Sequence, residues 1–236
     1  MVYNIQMKII FLNAWQGQGI GIKEFILDQS LDTDIFCFQE AGYFNTDIFC
    51  QDYLLSQYQL ITDKKQMSQT DIMVQATFIK NNFSVLKSNI IGQNDNNIGL
   101  GIFTQIKDSQ NKIFNLLNIH GFPWPGDKQD NPDRLRQSQN IIDFFKDLSD
   151  PKIIGGDFNL DFNTKSVQMF EQNGYKNLIK DFNIPTTRNE TAWAQFENKQ
   201  LYADFVFVSP DVKVTSFSVP NNEISDHLPM ILEVEI

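Results

Sequence analysis

Where the apolar runs of this sequence stop, acids, amides and imidazoles begin. Asn13 follows Ile9-Ile-Phe-Leu12, Gln39-Glu40 follows Ile35-Phe-Cys-Phe38, and His120 follows Leu116-Leu-Asn-Ile119. Asp157 and Asn159 come after Ile153-Ile-Gly-Gly156, Asp204 opens the run Phe205-Val-Phe-Val208, and Asp226-His227 precedes Met230-Ile-Leu-Glu-Val234. Polar groups at the ends of apolar strands converge at one rim of a sheet, the usual place for a site. Strand ends also meet solvent and are polar for that reason alone. A whole set with these identities needs a further reason.

The types present are oxygen ligands and proton carriers. Mg²⁺ takes oxygen ligands, keeps several waters and needs only one or two protein carboxylates. Glu40 is the first candidate ligand, with Asn13 nearby and Asp226 closing the site. Mn²⁺ is the natural substitute. Such an ion neutralises phosphate charge and stabilises a leaving oxygen. Asp157 and Asn159, on a loop after a glycine pair, point at one locus, although Gly155-Gly156 is equally an ordinary strand-ending turn. The chain has two histidines, His120 and His227, and both fall in these polar segments. A histidine at position 120, at the end of an apolar run, is of a type that can donate or accept a proton. No carboxylate partner for it is legible; Asp71 is a guess. Zinc is not indicated, because no Cys-x-x-Cys or Cys/His cluster occurs, and no disulfide framework is visible. Of the cysteines, Cys37 reads as a buried free thiol inside its apolar run, and Cys50 is the other.

These residues need strands and helices to hold them. Strands are expected over Lys8–Leu12, Asp34–Phe38, Met73–Ile79, Phe83–Ile91 and Leu100–Ile106, the last forming a hairpin with Ile113–Ile119. Further strands are expected over Lys152–Gly155, Ala203–Val208, Val212–Val219 and Met230–Val234. Helices are expected over Ile20–Gln29, Asp47–Leu55, Pro132–Leu148 and Lys165–Gln172. The clearest begins at Pro132, with Asn131 as its cap and Leu135, Ile142 and Phe145 on one face. Helices and strands mixed in this way indicate α/β or α+β layers rather than all-β. Ile35–Phe38, apolar throughout, is expected to be buried on both faces.

In order along the chain, Asn13, Gln39-Glu40, Asn118-Ile-His120, Gly156-Asp-Phe-Asn-Leu160, Asp204-Phe-Val-Phe-Val-Ser209 and Ser225-Asp-His-Leu-Pro229 resemble the motif series of the endonuclease/exonuclease/phosphatase superfamily. The match runs from about residue 8 to residue 232, nearly the whole chain, which is read as a single domain over residues 1–236. The resemblance implies a four-layer αββα sandwich of two mixed sheets flanked by helices. It implies that Asp157 orients or deprotonates the attacking water, that Asn159 donates to the phosphate, and that His227 pairs with Asp204. His120 stands where abasic-site endonucleases of the superfamily carry Tyr. Tyr202-Ala-Asp204 departs from the Arg-Ile-Asp form common in relatives.

Substrate contacts are expected from Arg134 and Arg188, the latter close to Ala192-Trp193-Ala194, and from the aromatic faces of Trp193 and Trp124. An ordinary helix-surface salt bridge is an equal reading for Arg134. Trp124 lies in the Pro- and Gly-rich loop Gly121–Asn131, directly after His120, where it offers a stacking surface for a base.

The 236 residues carry a net charge of −10 and a pI near 4.6, which argues against a coat of positive charge gripping long duplex. No stretch has the roughly 18–20 apolar residues that span a bilayer. With no signal-peptide pattern at the N-terminus, the expected place is the cytoplasm, and the expected state a monomer. The activity expected is Mg²⁺-dependent phosphoester hydrolysis by in-line attack of water. A nuclease or DNA-end-processing phosphodiesterase comes first, and a phosphatase of a small phosphorylated molecule, such as a phosphoinositide or nucleotide, second. A catalytically silent binding module is disfavoured by the presence of all the acids and imidazoles.

Overall fold

The computed structural model describes residues 6–42, 51–69, 71–194 and 199–236. Two mixed β-sheets of six strands each pack face to face. In the first, the central strands β1 (Gln6–Asn13) and β2 (Ile35–Gln39) run parallel. On the β2 side lie β4 (Ile72–Lys80) and the edge strand β3 (Tyr58–Gln66); on the β1 side lie β12 (Met230–Glu235) and β11 (Lys213–Ser218). The second sheet runs in the order β5 (Ser84–Ile91), β6 (Leu100–Lys107), β7 (Ile113–His120), β8 (Lys152–Asp157), β10 (Asp204–Val208), β9 (Lys176–Asn177).

The two parallel pairs, β1–β2 and β7–β8, are each joined by a helical crossover, as parallel pairing requires. These crossovers are α1 (Ile22–Gln29) and α3 (Pro132–Lys146). Ile22 and Ile26 of α1 pack with Leu12, Phe36 and Phe38 on the outer face of the first sheet. Ile141, Ile142 and Phe145 of α3, with Val167 and Phe170 of α4 (Lys165–Gln172), cover the second. The result is helix, sheet, sheet, helix. α3 starts where its sequence says: Pro132 occupies the first turn, and the Asn131 side chain accepts from Arg134 N–H at 2.9 Å.

Register fixes the chemistry. His120 is opposite Asp157 across β7 and β8, and Asp157 is opposite Asp204 across β8 and β10. Asn13 is opposite Gln39 in the other sheet. The sheets approach closely beneath this rim because Gly155 faces the Phe11 ring. A Cβ there would meet Phe11 Cε1 at 2.6 Å. Asn118 ties the sheets together by accepting from Gln39 Nε2 at 2.7 Å and donating to the carbonyls of Phe38 and Ala76.

β2 is buried at every position, and Cys37 is a buried free thiol. Helix α2 occupies Gln51–Gln57; the rest of the expected Asp47–Leu55 span, with Cys50, lies outside the described residues. Strand β3 was not legible in the sequence. It is an edge strand carrying Asp63, Lys64 and Lys65, with no clean alternation of apolar residues. Helix α3 stops at Lys146, short of the expected Leu148. No helix among the described residues is long and apolar enough to cross a membrane.

Candidate active site

Three strand ends of the second sheet and two of the first supply the polar cluster. Asn13 bridges the sheets: its Nδ2 donates to Asp157 Oδ2 at 2.9 Å and to Glu40 Oε1 at 3.1 Å, while Oδ1 accepts from Trp15 N–H at 3.0 Å. Only an NH₂ can serve two carboxylates, so the amide orientation is determined by its partners.

Glu40, Asn159 and Lys128 adopt positive φ of 47°, 56° and 60°. Left-handed backbone at non-glycine residues costs of order 1–3 kcal/mol each and gathers where a side chain must be aimed. Asn159 N–H donates to Asp157 Oδ1 at 2.8 Å, so the two residues of the glycine-preceded loop are locked to one another.

His120 Nε2 is 3.7 Å from Asp157 Oδ2 and 3.9 Å from Glu40 Oε1; His227 Nε2 is 3.9 Å from Asp157 Oδ2. These gaps are too wide for hydrogen bonds, and the polar atoms converge on shared space. His120 Nδ1 has no partner among the described residues, and Asp71 is engaged instead by the Ser68 hydroxyl at 2.7 Å. His227 Nδ1 lies 3.0 and 2.9 Å from the two oxygens of Asp204.

Burial disfavours the His227 imidazolium, but Asp204, Asp157 and Asp226 outweigh it and hold the pKa up at about 9. Burial likewise opposes ionisation of Asp157, yet His227, His120, Lys128 and the Asn13 donor keep its carboxyl at about 2. Asp204 is pushed up by burial against the pull of His227. With both of its oxygens on one ring N–H, the proton of this pair resides on the imidazole.

Two places bring metal-ligand types together. Asp157, Asp204 and His227 have ligand atoms within 4.8 Å of one another. His227, however, spends Nδ1 on Asp204 and is held protonated, so it repels a cation, and this trio handles protons. Glu40 fits a divalent ion better, with Asn13 orienting its carboxylate. The Glu40 side chain is 29% exposed and accepts from Asn13 Nδ2, leaving carboxylate lone pairs open, while the Asn13 amide oxygen is turned to Trp15 N–H. A hard cation that keeps most of its waters needs no more. Asp226, expected to close this set, faces the Ser225 hydroxyl at 3.3 Å and Arg188 Nη2 at 3.8 Å. Among the described residues no hydrogen bond or ion pair joins it to Glu40 or Asn13.

The substrate-side residues divide. Arg134 is fully buried, and its guanidinium binds the carbonyls of Phe122, Pro123, Pro125 and Gln129 together with Asp127. It clamps the Gly121–Asn131 loop: the salt bridge read for it is made, to the exposed Asp127, but from a buried guanidinium whose other donors are taken by carbonyls rather than by a phosphate. Trp124 is 39% exposed and lines a cleft of about 290 Å³ with Glu40, His120, Met67 and Met73. Arg188 is buried and paired in a short bridge with His227; its Nη1 donates to Gln200 Oε1 at 3.2 Å. Trp193 lines a separate cleft with Arg188, and Lys199 sits 4.9 Å over its ring.

Lys128 was missed. It is 7% exposed, and its Nζ donates to Asn159 Oδ1 at 2.6 Å. The available signal was a lone cation in the loop between His120 and the helix start.

The Endonuclease/Exonuclease/phosphatase family model matches residues 1–227. No curated protein matches the chain. An endonuclease/exonuclease/phosphatase from Bacteroides vulgatus is 19% identical with a TM-score of 0.75, over 98% of this chain and 99% of that one. The human Nocturnin catalytic domain with bound sulfate anion is 18% identical with a TM-score of 0.73, over 99% and 96%. A mannosyl-6-phosphatase from Bacteroides thetaiotaomicron is 16% identical with a TM-score of 0.67, over 98% and 100%. At these identities the structural likeness speaks to the fold.

Proposed function

The chain belongs to the endonuclease/exonuclease/phosphatase family and is a phosphoester hydrolase, and we propose that it directs water in line at the phosphorus of a small or terminal phosphate ester, with Mg²⁺ as its cofactor and Mn²⁺ as substitute. The observation that carries this reading is the convergence of His120 Nε2 and His227 Nε2 on Asp157 Oδ2, at 3.7 and 3.9 Å, with Glu40 Oε1 3.9 Å from His120 Nε2, so that these polar atoms face a shared space at separations an oxygen atom can bridge.

Glu40, oriented by Asn13, would hold the divalent ion, and a bound ion would supply charge neutralisation at the phosphate and its leaving oxygen. Asp157, kept ionised by its neighbours, accepts a hydrogen bond from the attacking water and orients it. The His227 imidazolium, aimed by Asp204, faces the charge that grows on the phosphoryl oxygens. Asn159, whose Nδ2 is turned to Gly121 O and Asp157 Oδ2, holds Asp157 in place rather than facing the phosphate.

The order of substrates expected from the sequence is reversed here. Among the described residues, the cleft beside Glu40 and His120 is lined by Met67, Ile72, Met73, Pro123, Trp124, Gln16 and Asp71, with no Lys or Arg. A long polyanion has no track there. Cleavage at the end of a short single strand is the second reading, favoured by the exposed Trp124 face.

The test is a panel in Mg²⁺, Mn²⁺ and EDTA with sugar phosphates, inositol phosphates, nucleotides, single-stranded DNA, duplex DNA and abasic duplex. Metal-dependent release from the small esters is expected. Long duplex as the best substrate would overturn the choice.

A further inference from the structure

We propose that Lys128 and Arg188 make the inner end of this site a receptor for the doubly charged phosphate of a monoester, so that the enzyme selects phosphomonoesters over diesters. The inference rests on the hydrolase reading above and goes further by naming the ester.

Lys128 is a buried cation with too few partners. An ammonium has three N–H donors, and the one acceptor its Nζ meets is the neutral Asn159 Oδ1 at 2.6 Å. No carboxylate lies within 4.0 Å of it among the described residues. A buried ammonium with no carboxylate in contact, and Asp157 and Asp204 acting on it only from a distance, is costly, and one aimed at a catalytic cluster is explained by an anion that binds there. Burial lowers the ammonium pKa, Asp157 and Asp204 pull it back up, and Arg188 and Arg134 depress it further, so Arg188 is near enough to be felt.

The link between the two cations is also geometric. Gln200 Nε2 donates to Gly126 O at 2.8 Å, two residues before Lys128, and Gln200 Oε1 accepts from Arg188 Nη1 at 3.2 Å. Arg188 is itself under-used: Nε has no partner, Nη2 lies 3.5 Å from Ala192 O, and the nearest carboxylate, Asp226, is 3.8 Å away. Lys128 cannot easily turn elsewhere, because the Arg134 clamp fixes its loop and its own backbone is left-handed at φ 60°.

Oxygen count then separates the esters. A diester offers two non-bridging oxygens and one charge; a monoester offers three oxygens and, above its second pKa of about 6, nearly two charges. The two imidazoles suffice for two oxygens. The spare Lys128 N–H groups serve the third. The same ammonium fixes Asn159, turning Oδ1 toward itself and leaving Nδ2 facing Gly121 O at 3.1 Å.

The experiment compares p-nitrophenyl phosphate with bis(p-nitrophenyl) phosphate for wild type, Lys128→Met and Lys128→Arg in Mg²⁺. A second measurement, free of metal, is the shift in Tm caused by inorganic phosphate and by dimethyl phosphate at pH 8. Wild type should prefer the monoester, and Lys128→Met should lower kcat/KM for it about tenfold to a hundredfold more than for the diester. Lys128→Arg should recover part of the preference. Inorganic phosphate should raise the Tm of wild type and raise that of Lys128→Met much less; should Met not be tolerated, the Arg variant carries both comparisons. A wild-type preference for the diester, equal loss on both esters, or an unchanged phosphate shift in the variant overturns the inference and leaves the hydrolase reading standing. Hydrolysis of neither ester in Mg²⁺ or Mn²⁺ overturns that reading itself.

Discussion

His227 presents Nδ1 to both carboxylate oxygens of Asp204, at 3.0 and 2.9 Å, with both side chains buried. The acid is the largest of the influences that raise the His227 pKa to about 9. Asp204→Asn removes that influence, so the alkaline limb of kcat/KM should move to lower pH. A limb that stays in place would assign it to another group. The shift is also a stability statement. A folded pKa above the unfolded value of about 6.5 gives stability that is complete below about 6.5 and is lost as pH rises through about 9. Denaturant titrations of wild type and Asp204→Asn should therefore differ more at pH 6 than at pH 10. The losses from Asp204→Asn and His227→Ala should be non-additive, because the two act as a unit.

Glu40→Gln should abolish metal-dependent hydrolysis while leaving the Tm nearly unchanged, since the side chain is partly exposed and has Asn13 as its hydrogen-bond partner. Titration calorimetry with Mn²⁺ gives the direct readout. Full Mn²⁺ affinity in the variant would remove Glu40 from the cation site.

The strand ends were legible because the apolar runs stop at residues whose types are rare in cores, and register does the rest. β7, β8 and β10 pair so that His120, Asp157 and Asp204 stand in one row. What was not legible depends on long-range packing. β3 is an edge strand whose Lys65 is buried by folding back onto the carbonyls of Gly92, Asp95 and Ile98, a use of lysine that no local pattern announces. Arg134 sits on α3 at a position that looks like surface until the Gly121–Asn131 loop closes over it. Lys128 acquires meaning only when that loop brings it to Asn159, which lies 31 residues further along.

The Arg134 clamp predicts a loss that lysine cannot repair. Five N–H donors in a planar fork reach several carbonyls at once, and an ammonium cannot match that geometry. Arg134→Lys should lower stability by about 3 kcal/mol, the scale for breaking a buried ionic network. It should also reduce activity by loosening the loop that carries Trp124 and Lys128. Unchanged urea unfolding would show that the loop holds itself.

Asn118 offers a test of the tie between sheets. It accepts from Gln39 Nε2 and donates to Phe38 O, Ala76 O and Thr77 Oγ1, all buried. Asn118→Leu strands several of these groups, each worth about 1–3 kcal/mol when left unpaired. A fall of about 3 kcal/mol is expected, read by urea denaturation. A neutral result would mean that the neighbouring groups find other partners.

Substrate engagement should be only weakly sensitive to salt. With net charge −10, tight and salt-steep binding of long duplex has no source, because it draws on counterion release from many phosphates. A site relying on a divalent ion, Arg188 and Lys128 touches about three phosphates at most, which on a single strand gives a log K against log salt slope of about −2. Trp124 adds stacking worth about 1–3 kcal/mol that does not vary with salt. Arg188→Ala should make the slope shallower by somewhat under one, whereas Trp124→Ala should weaken binding and leave the slope alone. The measurement is a salt titration of a 5′-phosphorylated, labelled short oligonucleotide in Ca²⁺, chosen to suppress turnover. A slope near −8 would mean a basic groove outside the residues named here. Binding that disappears when the 5′-phosphate is removed, with the shallow slope retained, would place recognition at the terminal phosphate itself.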